Sequence, residues 1–166
     1  MKDLASYLKI FNKFRHFESF RDVCLFFQIP LLWIALPCLL LLRLQTVLRL
    51  LTPRRQSLVR EAVARDRYQK ILHFAHYWLR WKWIAVYNTC LKKSLLLYYF
   101  LNREGIPAQI CFGIKKNEGN LNGHSWIETP SFIPSPPDYN NDFIKIYTYP
   151  EMPVEIFSTS KNSLSS

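Results

Sequence analysis

Two textures of hydrophobic spacing divide the chain. From Val23 to Leu42, "VCLFFQIPLLWIALPCLLLL" runs twenty residues without a charge. Leucines then recur to Leu51 with Arg43 and Arg49 between them until Thr52-Pro53 breaks the pattern, which predicts a short amphipathic helix over Leu39–Leu51. A second helix is predicted over Ser57–Leu79, where Leu58, Ala62, Val63, Ile71, Leu72, Ala75 and Leu79 mark an apolar stripe. A third begins at the capping residues Asn88 and Thr89, runs through "CLKKSLLLYYFLNRE", and stops before Gly105, which suits a helix C-terminus. Beyond it the period falls to two. "PAQICFGIKK" alternates Ala108, Ile110, Phe112 and Ile114 against Gln109, Cys111, Gly113 and Lys115, which predicts a strand. "NEGNLNG" (Asn117–Gly123) reads as its turn and "HSWIE" (His124–Glu128) as the returning strand. After a loop rich in Pro, Ser and Asn, "FIKIYTYP" (Phe143–Pro150) is a third strand.

The expected fold class is therefore α+β, with N-terminal helices followed by a cysteine-bearing helix and an antiparallel sheet. Three segments are expected: a basic, leucine-rich helical region over 1–56, a catalytic-sized domain over 57–157, and a flexible polar tail over 158–166. Charge is uneven along them. Residues 1–60 carry ten Lys and Arg against three Asp and Glu, so they supply +7 of the chain's net +10. Such a segment suits an anionic membrane or an acidic peptide, and no nucleic-acid-binding motif accompanies it. The apolar stretch 23–42 is long enough to span a bilayer, but Pro30, Pro37, Gln28 and basic residues on both sides favour a helix packed on the domain or lying in the membrane interface. The four cysteines Cys24, Cys38, Cys90 and Cys111 lie far apart with no CxxC pair, which suggests neither a disulfide framework nor a zinc site and fits a reducing, cytoplasmic compartment. No cofactor or metal is expected. His73 and His76, one turn apart without a third ligand, read as surface or packing histidines.

Cys90 has two readings, a small buried hydrophobe or a nucleophile. At a helix start it meets unpaired N–H groups and the positive end of the helix dipole, and both favour thiolate. Ser94 lies one turn later on the same face. A nucleophilic cysteine needs a base, for which His124 is the candidate, with Trp126 and Glu128 on the same strand face. Spacing alone leaves both readings of Cys90 open.

"CLKKSLLLYYFLNREGIPAQICFGIKK" followed by "GHSWIE" resembles the transglutaminase-like leader peptidases of lasso-peptide biosynthesis. Their pattern is a Cys-Leu-x-x-Ser-Leu helix, a Gly-Ile turn, a strand ending in Gly-Val or Gly-Ile, then His-x-Trp-x-Glu. The likeness covers Cys90 to about Pro150, and the leucine-and-arginine helix near Leu39–Pro53 is similar to the N-terminal part of these proteins. The resemblance implies a papain- or transglutaminase-like fold and a thiol endopeptidase with a Cys, His, Asp triad, in which Cys90 attacks the bond between leader and core and His124 moves the proton. The third member is carried over to Asp138. It departs from the pattern, because the usual position falls near Pro136, and Asp142 is the next acid. Glu128 recurs in the motif as either an exposed strand carboxylate or a positioning group. Trp126 and Trp83 read as core or pocket-wall residues, and Cys111 as an inert strand thiol.

The resemblance also implies partners. Fused relatives carry a winged-helix domain that grips the leader, whereas residues 1–89 here are leucine-rich and basic. A separate leader-binding protein is therefore expected, together with a precursor peptide and an ATP-dependent macrolactam synthetase that takes the product. The substrate-binding residues are not legible. Acyl transfer by the same triad, or a membrane-associated maturation scaffold with impaired catalysis, are the competing functions.

Overall fold

The structure is a computed structural model that describes residues 20–53, 59–80, 89–117, 120–130, 133 and 143–151. These form an α+β fold of four helices, α1 (Phe20–Leu39), α2 (Leu44–Leu51), α3 (Glu61–Leu79) and α4 (Cys90–Arg103), and three strands, β1 (Gln109–Asn117), β2 (Asn120–Glu128) and β3 (Ile144–Tyr149). β1 is central and antiparallel to both neighbours, in the order β2-β1-β3. One cluster of buried side chains joins every element except β3, taking Ile29, Trp33 and Leu36 from α1, Leu48 from α2, Ile71 and Phe74 from α3, Leu95 and Leu101 from α4, and Ile110 and Ile127 from the sheet. Tyr149 of β3 packs against it.

α1 contains Pro30 and Pro37, and the lack of an N–H at Pro30 frees the carbonyl of Phe26 one turn back. Trp78 on α3 fills that gap, its indole Nε1–H donating to the Phe26 oxygen at 2.9 Å. The proline thus helps to tie α1 to α3. Ion pairs reinforce the junction: Glu104 takes Arg21 and Arg67, and Lys70 bridges Asp22 and Asp66 at 3.7 and 3.3 Å. These groups line a cavity of about 230 Å³. Its cations and carboxylates are matched to one another, so it reads as a clamp between helices.

Several boundaries and faces differ from the sequence expectation. The predicted Leu39–Leu51 helix is interrupted by a turn, because α1 continues to Leu39 and a new helix starts at Leu44. α3 buries Ala64, Tyr68, Ile71, Phe74 and Ala75, while Val63, assigned to its apolar stripe, is exposed. Tyr68 and Phe74 supply the bulk that Ala62 and Val63 were expected to give. The predicted turn Asn117–Gly123 is mostly strand: β2 begins at Asn120, and Asn122 and Leu121 pair with Lys115 and Lys116. Polar side chains there face solvent on an edge strand, which in sequence looks like a turn. Asn88, Leu58, Trp83 and the tail 158–166 lie outside the described residues.

The core also sets a response to alkali. Burial pushes the Tyr68 and Tyr98 hydroxyls from 10.0 up to about 12, and burial followed by the nearby Glu128 charge pushes the Cys111 thiol from 9.0 up to about 12. Each folded-state value lies above its unfolded one, so these groups contribute stability in full below pH 9, and that contribution is lost as pH rises toward 12. Denaturant unfolding measured stepwise across that window should show a steady fall in midpoint. A flat profile would mean that none of the three is held neutral by the fold.

Candidate active site

α4 begins where its caps require. Thr89 has an extended backbone (φ −96°, ψ 151°) and its side chain accepts from the Lys92 N–H at 3.4 Å. Cys90 is therefore the first helical residue, half-buried and not in a disulfide. At the other end Gly105 takes φ 80°. The Ile106 N–H reaches the Leu101 carbonyl at 2.9 Å and the Gly105 N–H reaches Asn102 at 3.2 Å, the paired bonds of a Schellman terminus. The buried Asn102 amide then donates to the carbonyls of Tyr98 and Ala108 and accepts from the Ala108 N–H, so β1 leaves the helix at a fixed angle. On the outer side Lys92 sits over the Trp33 ring of α1, 6.0 Å from its centroid. Ser94 is buried, so it belongs to the packing of α4.

His124 pairs with Gly113 across β1 and β2. Its ring lies nearly parallel to Trp126, with centroids 6.1 Å apart and planes at 16°, and 5.0 Å from the Phe143 ring. Trp126 is fixed in turn, because its indole N–H donates to Glu128 Oε1 at 3.2 Å. Lys145 from β3 closes on both oxygens of Glu128 at 2.6 and 2.7 Å. Glu128 is thus a half-buried carboxylate held between Trp126 and Lys145. Gly113 makes room for this stack. A Cβ there would lie 2.8 Å from the Trp126 ring and 2.9 Å from the Ile144 carbonyl oxygen.

Cys90 and His124 border the same open pocket of about 310 Å³, whose wall is otherwise largely apolar, with Leu91, Phe112, Ile114 and Ile146. Ser125 also borders it, buried and with its hydroxyl unpartnered among the described residues. The sequence brought forward neither these lining residues nor Phe143. Phe112 and Ile114 carried only an alternation signal, and Ile146 arrives from a strand more than thirty residues along the chain, next to an irregularity in its pairing with β1 at Phe112/Gly113. Asp138 and Asp142 lie outside the described residues. Cys111 is fully buried, is partnered by the Thr148 hydroxyl at 3.7 Å, and is held as a thiol. His73 and His76 are exposed on α3. No group of three or more His, Cys, Asp or Glu suited to a metal occurs among the described residues.

A thiol at a capped helix start, sharing a pocket with a strand histidine beside a small antiparallel sheet, defines the class of cysteine-helix α+β domains. Residues 32–148, well over half of the chain, match the transglutaminase-like superfamily. The chain belongs to that superfamily, which generally comprises cysteine peptidases and transferases. The match includes α2, α3, α4, β1, β2 and all but the last residue of β3, together with the C-terminal part of α1. No curated protein and no solved structure matches the chain.

Proposed function

We propose that this protein is a thiol endopeptidase that removes the leader from a ribosomally made precursor peptide during lasso-peptide maturation. The observation that carries the reading is the shared pocket of Cys90 and His124 in a transglutaminase-like domain, together with the Cys-Leu-x-x-Ser-Leu and His-x-Trp-x-Glu motifs at Cys90 and His124. Cys90 Sγ attacks the scissile carbonyl carbon as His124 takes the thiol proton, and the backbone N–H of Cys90 steadies the oxyanion. The C–N bond then breaks, His124 returns the proton to the leaving amine, and the core peptide departs with a free N-terminus. Water, deprotonated by His124, releases the leader as an acid and restores the thiol. Asp138 is the proposed orienting acid, with Asp142 next.

The apolar wall of Leu91, Phe112, Ile114 and Ile146 suits an uncharged substrate side chain beside the cleaved bond. A separate leader-binding protein delivers the precursor, because a tethered peptide reaches Cys90 at a much higher effective concentration than a free one. A macrolactam synthetase that uses ATP consumes the core, which places the reaction in the cytoplasm.

The test is mass spectrometry of precursor incubated with the purified chain, with and without a winged-helix leader-binding protein. Release of leader and core, faster with the partner and weaker in high salt, is the expected result. Full-rate cleavage by the isolated chain, unchanged by the partner, would end the split-pair reading. Transfer of the leader to an added amine in preference to water would mark an acyltransferase. An active chain in which Asp138→Asn slows release no more than Asp142→Asn would move the third role elsewhere.

A further inference from the structure

We propose that α1 is a membrane-docking helix that lies in the plane of an anionic lipid surface, with its free apolar face turned to the acyl chains and the catalytic domain above it. This goes beyond the peptidase reading and does not rest on it. α1 carries two apolar stripes. One, Leu25, Ile29, Trp33 and Leu36, is buried in the domain core. The other, Phe27, Leu31 and Ile34, with Leu41 in the turn just beyond the helix, is 61%, 68%, 71% and 87% exposed. The second stripe repeats at helical spacing, so it forms a continuous ridge on the side away from the core. Exposed apolar area of this kind marks an interaction site.

What covers the ridge follows from its chemistry. From Phe27 to Leu42 every fully exposed side chain lacks a charge, an amide and a hydroxyl, and the one amide, Gln28, is half-buried and accepts from the Arg103 guanidinium. A protein interface ordinarily brings a polar rim and hydrogen bonds; acyl chains need neither. The ridge ends at Arg43, and Arg49 stands beside the exposed Leu50, both arginines being exposed themselves. They belong to the segment of residues 1–60 whose ten basic side chains face only three acidic ones. An apolar face bordered by arginines is the pattern of an interfacial helix on anionic lipid. A second copy of the chain would have to bring two such positive segments together. Length and composition alone would let α1 cross a bilayer. Crossing would strip its buried stripe from the core and separate Asp22 from Lys70 and the Phe26 carbonyl from Trp78, leaving polar groups in hydrocarbon. The packed stripe therefore selects the in-plane orientation.

Vesicle flotation of the full chain tests this, using phosphatidylcholine alone and phosphatidylcholine mixed with phosphatidylglycerol. The wild type should float with the mixed vesicles at least about tenfold more strongly than with the neutral ones, and alkaline carbonate should release it. Leu31→Glu combined with Ile34→Glu should reduce binding by about tenfold or more. Should that pair fail to fold, Arg43→Glu combined with Arg49→Glu, at exposed positions, should remove the preference for anionic vesicles. A wild type that stays unbound, a glutamate pair that floats as well as wild type, or resistance to carbonate would each overturn the assignment. So would a glutamate pair that turns a dimer into a monomer without altering flotation, or flotation seen only in the presence of the leader-binding protein.

Discussion

Cys90→Ala is expected to abolish leader release, lowering the rate by about 10⁴-fold or more, and His124→Ala to come close to it. In the proposed mechanism Cys90 supplies the sulfur that carries the acyl group, for which neither alanine nor a neighbouring side chain can substitute. His124 borders the same pocket and is the proposed proton carrier. The control lies within the molecule. Cys111→Ser should leave cleavage within a few-fold of wild type, because Cys111 is buried in β1 with its thiol pushed up to about 12 and meets no helix start. A modest loss of stability is its expected cost, since the smaller hydroxyl replaces a buried sulfur. Circular dichroism would establish that each variant folds, and mass spectrometry of the precursor would give the rates. Cleavage by Cys90→Ala at the wild-type rate would sink the thiol mechanism. A wild type that never cleaves, yet speeds a reaction by another component, would instead favour the scaffold reading.

How far the site could be read in advance depended on whether its determinants were local. Cys90 at a helix start follows from Thr89 and Gly105, whose capping chemistry acts within one turn. The facing of His124, Trp126 and Glu128 follows from strand alternation, and the stack and hydrogen bond among them agree with it. What escaped were contacts between residues distant in sequence. Lys145 comes from β3 to hold Glu128, Phe143 lies beside His124, and Trp78 satisfies the carbonyl freed by Pro30. No periodicity encodes such pairings. α1 was ambiguous for a related reason. With apolar residues on both its packed and its free face, the sequence shows one unbroken hydrophobic run, and only the fold separates the two stripes.

Gly113→Ala is expected to damage both stability and catalysis, although it adds only a single methyl group. The added Cβ would meet the Trp126 ring at 2.8 Å on one side and the Ile144 backbone oxygen at 2.9 Å on the other. Neither neighbour is the tip of a flexible chain, so either the indole or the β1–β3 pairing must move. Overpacking of this kind costs about 1–3 kcal/mol, which for a chain of this size lowers Tm by roughly 2–12 °C. If the indole moves, it loses its bond to Glu128 and its stack on His124, and the imidazole shifts relative to Cys90. Displacement of a reacting group by about an ångström can cost about 10²-fold in rate. If β3 moves instead, Ile146 leaves the pocket wall and Lys145 leaves Glu128. Gly123→Ala provides the comparison, since a Cβ at that position meets nothing within 4 Å, and its Tm should stay at the wild-type value. Thermal unfolding and precursor cleavage measured on both variants decide the matter. A Gly113→Ala protein with wild-type Tm and wild-type rate would show that the space between Trp126 and Ile144 is not what holds His124 in place.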